Sequence, residues 1–194
     1  KNMKERILKK KQKKESSNRW LRRQLNDEYY NRAKIDGFRS RSSYKLIQIN
    51  EKFNFLGSRK SILDLGCSPG GWLQIADKFS PNNCKILGID VIDLKKLPNI
   101  TFLKKDIFDT EIINKIKDFF DNKKIDLLMS DMSPNSSGNK NLDHIRIVSL
   151  VERVLEIANE ILDKDGILVS KIFQGGAQGE LIEKMKRNLN SIKY

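Results

Sequence analysis

The sequence SILDLGCSPGGW, residues 61–72, is the stretch that decides the fold. Its apolar first half predicts a buried strand, and the turn that follows holds three glycines and a proline. Glycine lets the backbone approach a ligand that a Cβ atom would exclude. A strand, a glycine-rich turn and a helix in this order are typical of α/β proteins that bind a nucleotide-like ligand.

The chain on either side of this stretch continues as helices and strands. Two helices are predicted before it: one in which Trp20, Leu21, Leu25 and Tyr29 recur at helical spacing, capped by Ser17 or Asn18, and a second from about residue 42 to 53. Strands are predicted at 61–65, 85–90, 100–104, 125–130 and 166–172, and the later helices at 71–79, 112–120, 143–162 and 179–190. This alternation predicts an α/β fold with a mainly parallel sheet, helices on both faces and a ligand site at the carboxyl ends of the strands.

Charge is distributed unevenly along the chain. The 194 residues contain 38 Lys and Arg against 25 Asp and Glu, a net charge of +13, and residues 1–45 hold 16 basic and 5 acidic side chains, a net of +11. We interpret residues 1–15 as a basic arm and residues 16–194 as a single domain. The arm is either a solvated, disordered tail or a segment that binds a polyanion such as RNA, since neutralised phosphates release counterions.

Several classes of protein are disfavoured by composition. No apolar run approaches the roughly 20 residues that a membrane span needs. The two cysteines, Cys67 and Cys84, are too few for a disulfide framework and have no metal-ligand spacing, so we expect a reducing, intracellular setting and no bound metal. A cytoplasmic and a mitochondrial location both remain open, and we expect a monomer.

The glycine turn and the acids after the next two strands indicate an adenosine-containing ligand. Asp90 ends the second predicted strand, where a carboxylate can accept both hydroxyls of a ribose, which fits NAD and S-adenosylmethionine equally. The spacing differs from the dinucleotide fingerprint G-x-G-x-x-G, because three residues separate Gly66 from Gly70. It matches the first motif of class I methyltransferases, and Asp106, after the third strand, suits a contact with the adenine amino group. Either acid could also simply begin a loop.

Two residues after the last predicted strands are candidates for catalysis. Asp131 follows an apolar strand in LLMSDMSPN, and Lys171 ends the strand GILVSKIF. A lysine in an apolar strand is costly to bury unless it is paired or used, and a desolvated lysine can act as a base. The alternative for Lys171 is a strand-end lysine that reaches solvent. Lys45, in FRSRSSYKL with Arg39 and Arg41, could steer a phosphate-bearing substrate, although alone it reads as a solvated helix lysine.

The motifs FRSRSSYKL, DLGCSPGGW, GID at 88–90, KKDIFD, MSDMSPNSSG and VSKIFQGG occur in an order that resembles the FtsJ/RrmJ family. This family comprises 2′-O-ribose methyltransferases of large-subunit ribosomal RNA. The resemblance covers residues 16–190 and implies a class I, Rossmann-like methyltransferase fold that uses S-adenosyl-L-methionine and yields S-adenosyl-L-homocysteine. It implies a uridine in large-subunit ribosomal RNA, or the pre-ribosomal large subunit, as the substrate. A transfer RNA methyltransferase of the same fold and a non-catalytic RNA-binding assembly factor remain alternatives.

The resemblance also implies roles for individual residues. The first three members of the family's Lys-Asp-Lys-Glu tetrad match Lys45, Asp131 and Lys171. Its glutamate lies in a final strand hairpin that has no counterpart here, so we expect the given sequence to be shortened at its C-terminus. RNA contacts are expected at Arg39, Arg41 and Lys45. The cofactor contacts expected from the motifs are Gly66, Ser68, Pro69, Gly70, Gly71, Trp72, Asp90, Val91, Asp106, Ile107 and Asp131.

Overall fold

The computed structural model describes residues 28–132, 137–171, 178–189 and 191–193. In chain order the elements are α1 (Glu28–Ile35), α2 (Ser42–Phe53), β1 (Ser61–Leu65), α3 (Gly71–Phe79), β2 (Lys85–Asp90), β3 (Ile100–Lys104), α4 (Ile112–Phe119), β4 (Ile125–Ser130), α5 (Lys140–Ile161), β5 (Leu162–Ser170) and α6 (Gln178–Asn188).

The five strands form one sheet in the order β3-β2-β1-β4-β5, and every neighbouring pair is parallel. The order reverses between β1 and β4, because the chain builds outward from β1 to β3 and then crosses to the other side. In an open parallel sheet such a switch opens a crevice at the carboxyl ends of the central strands. The glycine turn after β1 lies at this switch.

Alternating side chains of the strands supply two hydrophobic cores, one on each face of the sheet. On one face, α2 and α3 cover Ile62, Ile86 and Leu127, and on the other, α4 and α5 cover Leu63, Leu87 and Leu128. All six of these strand residues are at most 2% exposed. Strands buried on both faces need apolar residues at successive positions, which explains the continuous apolar runs in the sequence.

The predicted α/β fold with its parallel sheet and helices on both faces is confirmed. Strands β1 to β4 and helices α2 and α3 have the predicted bounds. Helix α5 begins at Lys140 rather than at residue 143, because the side chain of Asn139 caps it by accepting hydrogen bonds from the backbone N–H groups of Asn141 and Leu142. Strand β5 begins at Leu162 rather than at residue 166, with an irregular register against β4 after Ile125.

Some predictions fall outside the described residues. The basic arm at 1–15 and most of the predicted N-terminal helix lie there, and Tyr29, the last residue of its predicted spacing, lies in α1. Residue 172, the predicted end of β5, also lies outside. Among the described residues no helix is long and apolar enough to cross a membrane.

Candidate active site

The glycine turn and four of the candidate residues lie at one edge of the sheet, because each lies at or just after the carboxyl end of a parallel strand. Gly66 follows β1, Asp90 ends β2 and Asp106 comes two residues after β3. Asp131 and Lys171 directly follow β4 and β5. The parallel topology therefore brings the predicted glycine turn, acids and lysine to the same end of the molecule.

The glycine turn after β1 is held in a conformation that suits glycine. Gly66 and Gly70 have φ angles of 70° and 104°, in the left-handed region that L-residues avoid. The N–H of Gly70 donates to the carbonyl of Cys67 (2.7 Å), which closes the turn, and the Ser68–Pro69 peptide bond is cis. A Cβ on Gly66 would overlap with the side chain of Met132. The turn is thus packed directly against the residue that follows Asp131.

Asp90 ties the glycine turn to the loop after β2. Its Oδ2 accepts a hydrogen bond from the backbone N–H of Ser68 (2.8 Å), and its Oδ1 accepts one from the N–H of Ile92 (2.8 Å). A carboxylate has about four acceptor positions, so both oxygens keep capacity for a further donor. The carboxylate is therefore oriented by the backbone and can still accept a ligand's hydroxyl groups.

Apolar side chains flank the loops after β2 and β3. Val91, Ile92 and Phe108 are 56%, 63% and 50% exposed, whereas Ile107 is only 6% exposed and belongs to the core. The carboxylate of Asp106 accepts a hydrogen bond from the N–H of Phe108 (3.0 Å). Sequence reasoning singled out Val91 and Ile107 but missed Ile92 and Phe108, whose exposure is apparent only in the fold.

The loop after β3 is fastened by an arginine that sequence reasoning also missed. Arg153, on α5, donates from Nε to the carbonyl of Ile107 (2.7 Å) and from Nη2 to the carbonyl of Asp109 (3.4 Å). Its side chain is only 12% exposed. Arg153 thus fixes the backbone on both sides of Phe108, although it is 46 residues from Ile107 in the chain.

Asp131 and Lys171 are brought into contact by the register of β4 and β5. Ser130 pairs with Ser170, and the N–H of Lys171 donates to the carbonyl of Ser130 (2.9 Å). The Nζ of Lys171 lies 2.7 Å from Oδ1 of Asp131 and also donates to the Asp131 carbonyl (2.9 Å). Their side chains are 25% and 19% exposed. The amine is therefore held at a part-buried position beside a carboxylate, where it can meet a ligand at the sheet edge.

Asp64 is a buried acid that sequence reasoning missed. It lies inside β1, is 1% exposed, and neither of its carboxylate oxygens has a hydrogen-bond partner among the described residues. Burial raises the pKa of Asp64 well above its usual range, and the negative charges of Asp131 and Asp90 raise it further. The sequence shows this acid only as one polar letter within an apolar strand.

Cys67, in the glycine turn, is unsuited to nucleophilic chemistry. The side chain is 5% exposed, and burial raises the pKa of its thiol, with a further contribution from Asp64. A thiolate is the nucleophilic form of cysteine. The thiol of Cys67 therefore remains protonated at neutral pH.

The segment with Arg39, Arg41 and Lys45 packs against the glycine turn. The indole N–H of Trp72 donates to the carbonyl of Ser42 (2.9 Å), which joins the first turn of α2 to α3. Arg41 and Lys45 are exposed. The contacts of the described residues do not join Lys45 to Asp131 or Lys171. That Lys45 approaches Asp131 and Lys171 stays a prediction.

The guanidinium of Arg39 is bound to the protein itself. It donates to the carbonyls of Pro69, Lys95 and Lys96. Within the part of the chain that the structure describes, no cluster of His, Cys, Asp and Glu side chains could hold a metal ion. The arrangement is thus one of carboxylates, one paired amine and a glycine turn.

Comparison with known proteins agrees with this architecture. The family model described as FtsJ-like methyltransferase matches residues 38–194. The chain is 44% identical over 184 residues to the ribosomal RNA large subunit methyltransferase E of Rickettsia conorii, covering 92% of this chain and 81% of the relative. It is 40% identical over 182 residues to the protein of the same name from Rhodopseudomonas palustris, covering 92% and 77%.

A solved structure has a similar backbone fold. The crystal structure of a Plasmodium falciparum protein described as a ribosomal RNA methyltransferase superposes with a TM-score of 0.70 and 32% sequence identity. The superposition covers 77% of this chain and 86% of the other. With its glycine turn, its strand-end acids and the match across residues 38–194, this chain belongs to the FtsJ-like methyltransferase family.

Proposed function

We propose that the protein transfers a methyl group from S-adenosyl-L-methionine to a ribose 2′-hydroxyl, on a uridine, in large-subunit ribosomal RNA. The observation that carries the proposal is the contact between Lys171 and Asp131 at the sheet edge that also holds the glycine turn. The relatives named as large subunit methyltransferases support the choice of RNA. An intracellular location, in the cytoplasm or a mitochondrion, and action as a monomer follow as parts of the same proposal.

The residues at the sheet edge fit the proposed methyl donor. Its ribose hydroxyls would be bound by Asp90, whose carboxylate is already oriented by two backbone N–H groups. Its adenine would lie between the exposed apolar side chains Val91, Ile92 and Phe108, near Asp106. Its methionine part would pass the glycine turn, with backbone contacts from 66 to 72. When bound, S-adenosylmethionine supplies a methyl group from its sulfonium and leaves as S-adenosylhomocysteine.

Lys171 would handle the proton of the ribose hydroxyl. A neutral amine can accept that proton as the oxygen becomes bonded to carbon, and a positioned base of this kind contributes about 10²–10⁴-fold to a rate. Asp131 holds the amine in one place. Alignment of the hydroxyl oxygen with the methyl carbon and the sulfur of the donor can supply roughly 7–11 kcal/mol more. Lys45, exposed on α2, would complete the site from the RNA side, with Arg41 nearby.

A substitution at Lys171 tests this proposal. We expect Lys171→Met to lower methyl transfer to a large ribosomal subunit that lacks the modification by about 10²-fold or more. Lys164→Met is the matched control, because Lys164 is exposed near the other end of β5. The measurement is incorporation of radiolabelled methyl groups, with the modified position identified by its resistance to alkaline hydrolysis.

The outcomes separate the alternatives. Methylation of a transfer RNA transcript in place of the ribosomal subunit would make the protein a transfer RNA methyltransferase of the same fold. Subunit binding without transfer by the wild-type protein would favour a non-catalytic assembly factor. Full transfer by a folded Lys171→Met variant would contradict the assignment of Lys171.

A further inference from the structure

We propose that Arg39 is a positioning residue that clamps together two loops of the methyl-donor site, and that it does not serve as an RNA contact. This inference rests on the proposed function, since it concerns the site that we assign to the donor. It concerns a residue whose sequence context, FRSRSSYKL, predicts an RNA contact.

The guanidinium of Arg39 joins two segments that are distant in sequence. Its Nη1 donates to the carbonyl of Lys95 (2.6 Å) and to that of Pro69 (3.3 Å), and its Nη2 donates to the carbonyl of Lys96 (3.0 Å). Pro69 lies in the glycine turn, and the two lysines lie in the loop that begins after Asp90. Because these loops follow β1 and β2, the arginine ties together the two walls between which the donor would bind.

The arginine also packs directly on the glycine turn. A Cβ on Gly70 would lie 3.1 Å from Nη1 and 3.2 Å from Cδ of Arg39, closer than ordinary van der Waals contact. The same Cβ would lie 3.0 Å from Cδ1 of Leu94, which belongs to the loop after β2. The side chains of Arg39 and Leu94 therefore pack over Gly70, whose φ angle is in the left-handed region.

The backbone around Arg39 is held as firmly as its side chain. The N–H of Arg39 donates to Oε1 of Gln74 (2.7 Å), and Nε2 of Gln74 donates to the carbonyl of Gly37 (3.1 Å). Gln74 belongs to α3, the helix that begins in the glycine turn. The backbone at Gly37 and Arg39 is thus fixed to the helix that follows the turn. The side chain of Arg39 therefore extends from a fixed backbone position.

These contacts occupy the N–H donors with which the guanidinium of Arg39 would bind RNA. A guanidinium has five N–H donors in a planar fork, and an arginine that binds phosphate or a base uses two of them side by side. In Arg39 both Nη atoms already donate to carbonyls of the protein. Arg41, two residues later, is exposed and is the better candidate for a phosphate contact.

The test compares Arg39→Met with Arg59→Met. Arg59 is the matched control because its Nε also donates to a backbone carbonyl, that of Phe55 (2.8 Å), in the turn that precedes β1, at the other end of the sheet. Two quantities are measured: the Kd of S-adenosylhomocysteine by calorimetry, and amide hydrogen exchange at 66–72 and 91–97 without any ligand. The Kd of the RNA substrate is measured in parallel.

We expect Arg39→Met to weaken S-adenosylhomocysteine binding about tenfold, the effect of losing one charge-assisted hydrogen bond. Exchange should become faster in both loops, and RNA affinity should stay within about twofold of the wild type, the limit expected when no phosphate contact is lost. Arg59→Met should change none of the three. Arg39→Lys, which keeps the charge but not the fork, should fall between the wild type and Arg39→Met in ligand affinity.

Each other outcome has a definite meaning. A loss of RNA affinity with unchanged ligand affinity and unchanged exchange would overturn the proposal and make Arg39 an RNA contact. If Arg39→Met fails to fold, Arg39→Lys is compared with Arg59→Lys by the same measurements, and equal results for the two would also overturn it. If the wild-type protein does not bind S-adenosylhomocysteine, the proposed function fails, while the exchange rates still decide whether Arg39 clamps the loops.

Discussion

The pKa of the buried acid Asp64 depends on its surroundings. It lies in the central strand of the sheet, with Asp131 and Asp90 close enough to raise its pKa beyond the larger effect of burial. A buried, unpartnered carboxylate is costly in its charged form and is held as the neutral acid instead. Asp64 therefore keeps its proton to a higher pH than an ordinary aspartate does.

The pH dependence of stability should reveal this acid. Because folding raises the pKa of Asp64, the group favours the folded state at low pH, and this contribution is lost as the pH rises from the ordinary aspartate pKa of about 4 towards the raised value. In this range the free energy of unfolding falls by about 1.4 kcal/mol per pH unit for one proton. We expect Asp64→Asn to gain stability relative to the wild type as the pH rises above about 4, measured by urea unfolding at each pH.

Asp126→Asn is a suitable control for that experiment, because the Asp126 carboxylate accepts hydrogen bonds from the backbone of Lys60 and Ser61 at the other end of the sheet. An asparagine can keep both acceptor contacts through its carbonyl oxygen. Parallel pH profiles for the wild type and Asp64→Asn would contradict the assignment of a raised pKa to Asp64.

At the scale of elements, the contact between α2 and α3 determines where the predicted RNA-facing helix lies. The hydroxyl of Ser43 donates to the carbonyl of Gly71 (3.1 Å), the residue at which α3 begins. A Cβ on Gly71 would overlap with the hydroxyl of Ser40 and lie 2.8 Å from that of Ser43. The two helices can approach this closely only because residue 71 has no side chain.

Substitution of this glycine should separate the helices. We expect Gly71→Ala to lower the free energy of unfolding by about 1–3 kcal/mol, the usual cost of overpacking. It should also lower the rate of methyl transfer, because α2 carries Lys45. Far-UV circular dichroism during urea unfolding and the transfer assay provide the two measurements.

Gly57→Ala is the control for this substitution. A Cβ on Gly57 would meet only the carbonyl of Phe79 at 3.9 Å, an ordinary contact. Its effect on stability should stay within about 1 kcal/mol. Equal effects of the two substitutions would show that the α2–α3 contact tolerates a methyl group.

Most elements could be predicted from the sequence because their burial pattern is simple. Short, largely apolar segments bounded by turns gave β1 to β4 with their bounds. The inner strands β2, β1 and β4 are covered on both faces and therefore have few polar positions. The start of β5 was missed because Asp163, Lys164 and Asp165 are exposed and polar there, as an edge strand allows. The start of α5 was predicted too late in the chain because the capping residue is Asn139, which comes before the first apolar residue of the helix.

The candidate site was predictable where residues follow strands and unpredictable where contacts join distant segments. Asp90 and Lys171 come at strand ends that the apolar pattern marks, and parallel topology then brings such positions together. Arg39 and Arg153 bind backbone carbonyls 30 to 57 residues away. No spacing rule connects such positions, because carbonyl oxygens are present at every residue and only the fold selects which ones are reached.

At the scale of the whole molecule, charge should determine how strongly RNA affinity depends on salt. The net charge of +13 is concentrated in residues 1–45, which carry +11 of it. We expect removal of residues 1–15 to reduce the slope of log K for RNA against log salt concentration by about 0.7–0.9 for each phosphate that this arm neutralises. The slope is measured by filter binding of RNA across a salt series.

The affinity for S-adenosylhomocysteine provides the internal control, because the donor site lies at the sheet edge and should not change when the arm is removed. An unchanged salt slope would mean that residues 1–15 are a solvated tail with no role in RNA binding. The result thus separates the two interpretations of the arm that its composition leaves open.

The parallel arrangement of the sheet has a practical consequence for handling the protein. The glycine turn, Asp90, Asp106, Asp131 and Lys171 lie at the carboxyl ends of the strands, while the turns at 57–60, 81–84 and 121–124 lie at the opposite ends. Strands of five or six residues separate these two ends by about 17–20 Å. A peptide tag inserted at 121–124 would attach the molecule to a sensor chip at that end and leave the carboxyl ends of the strands accessible to a particle as large as a ribosomal subunit.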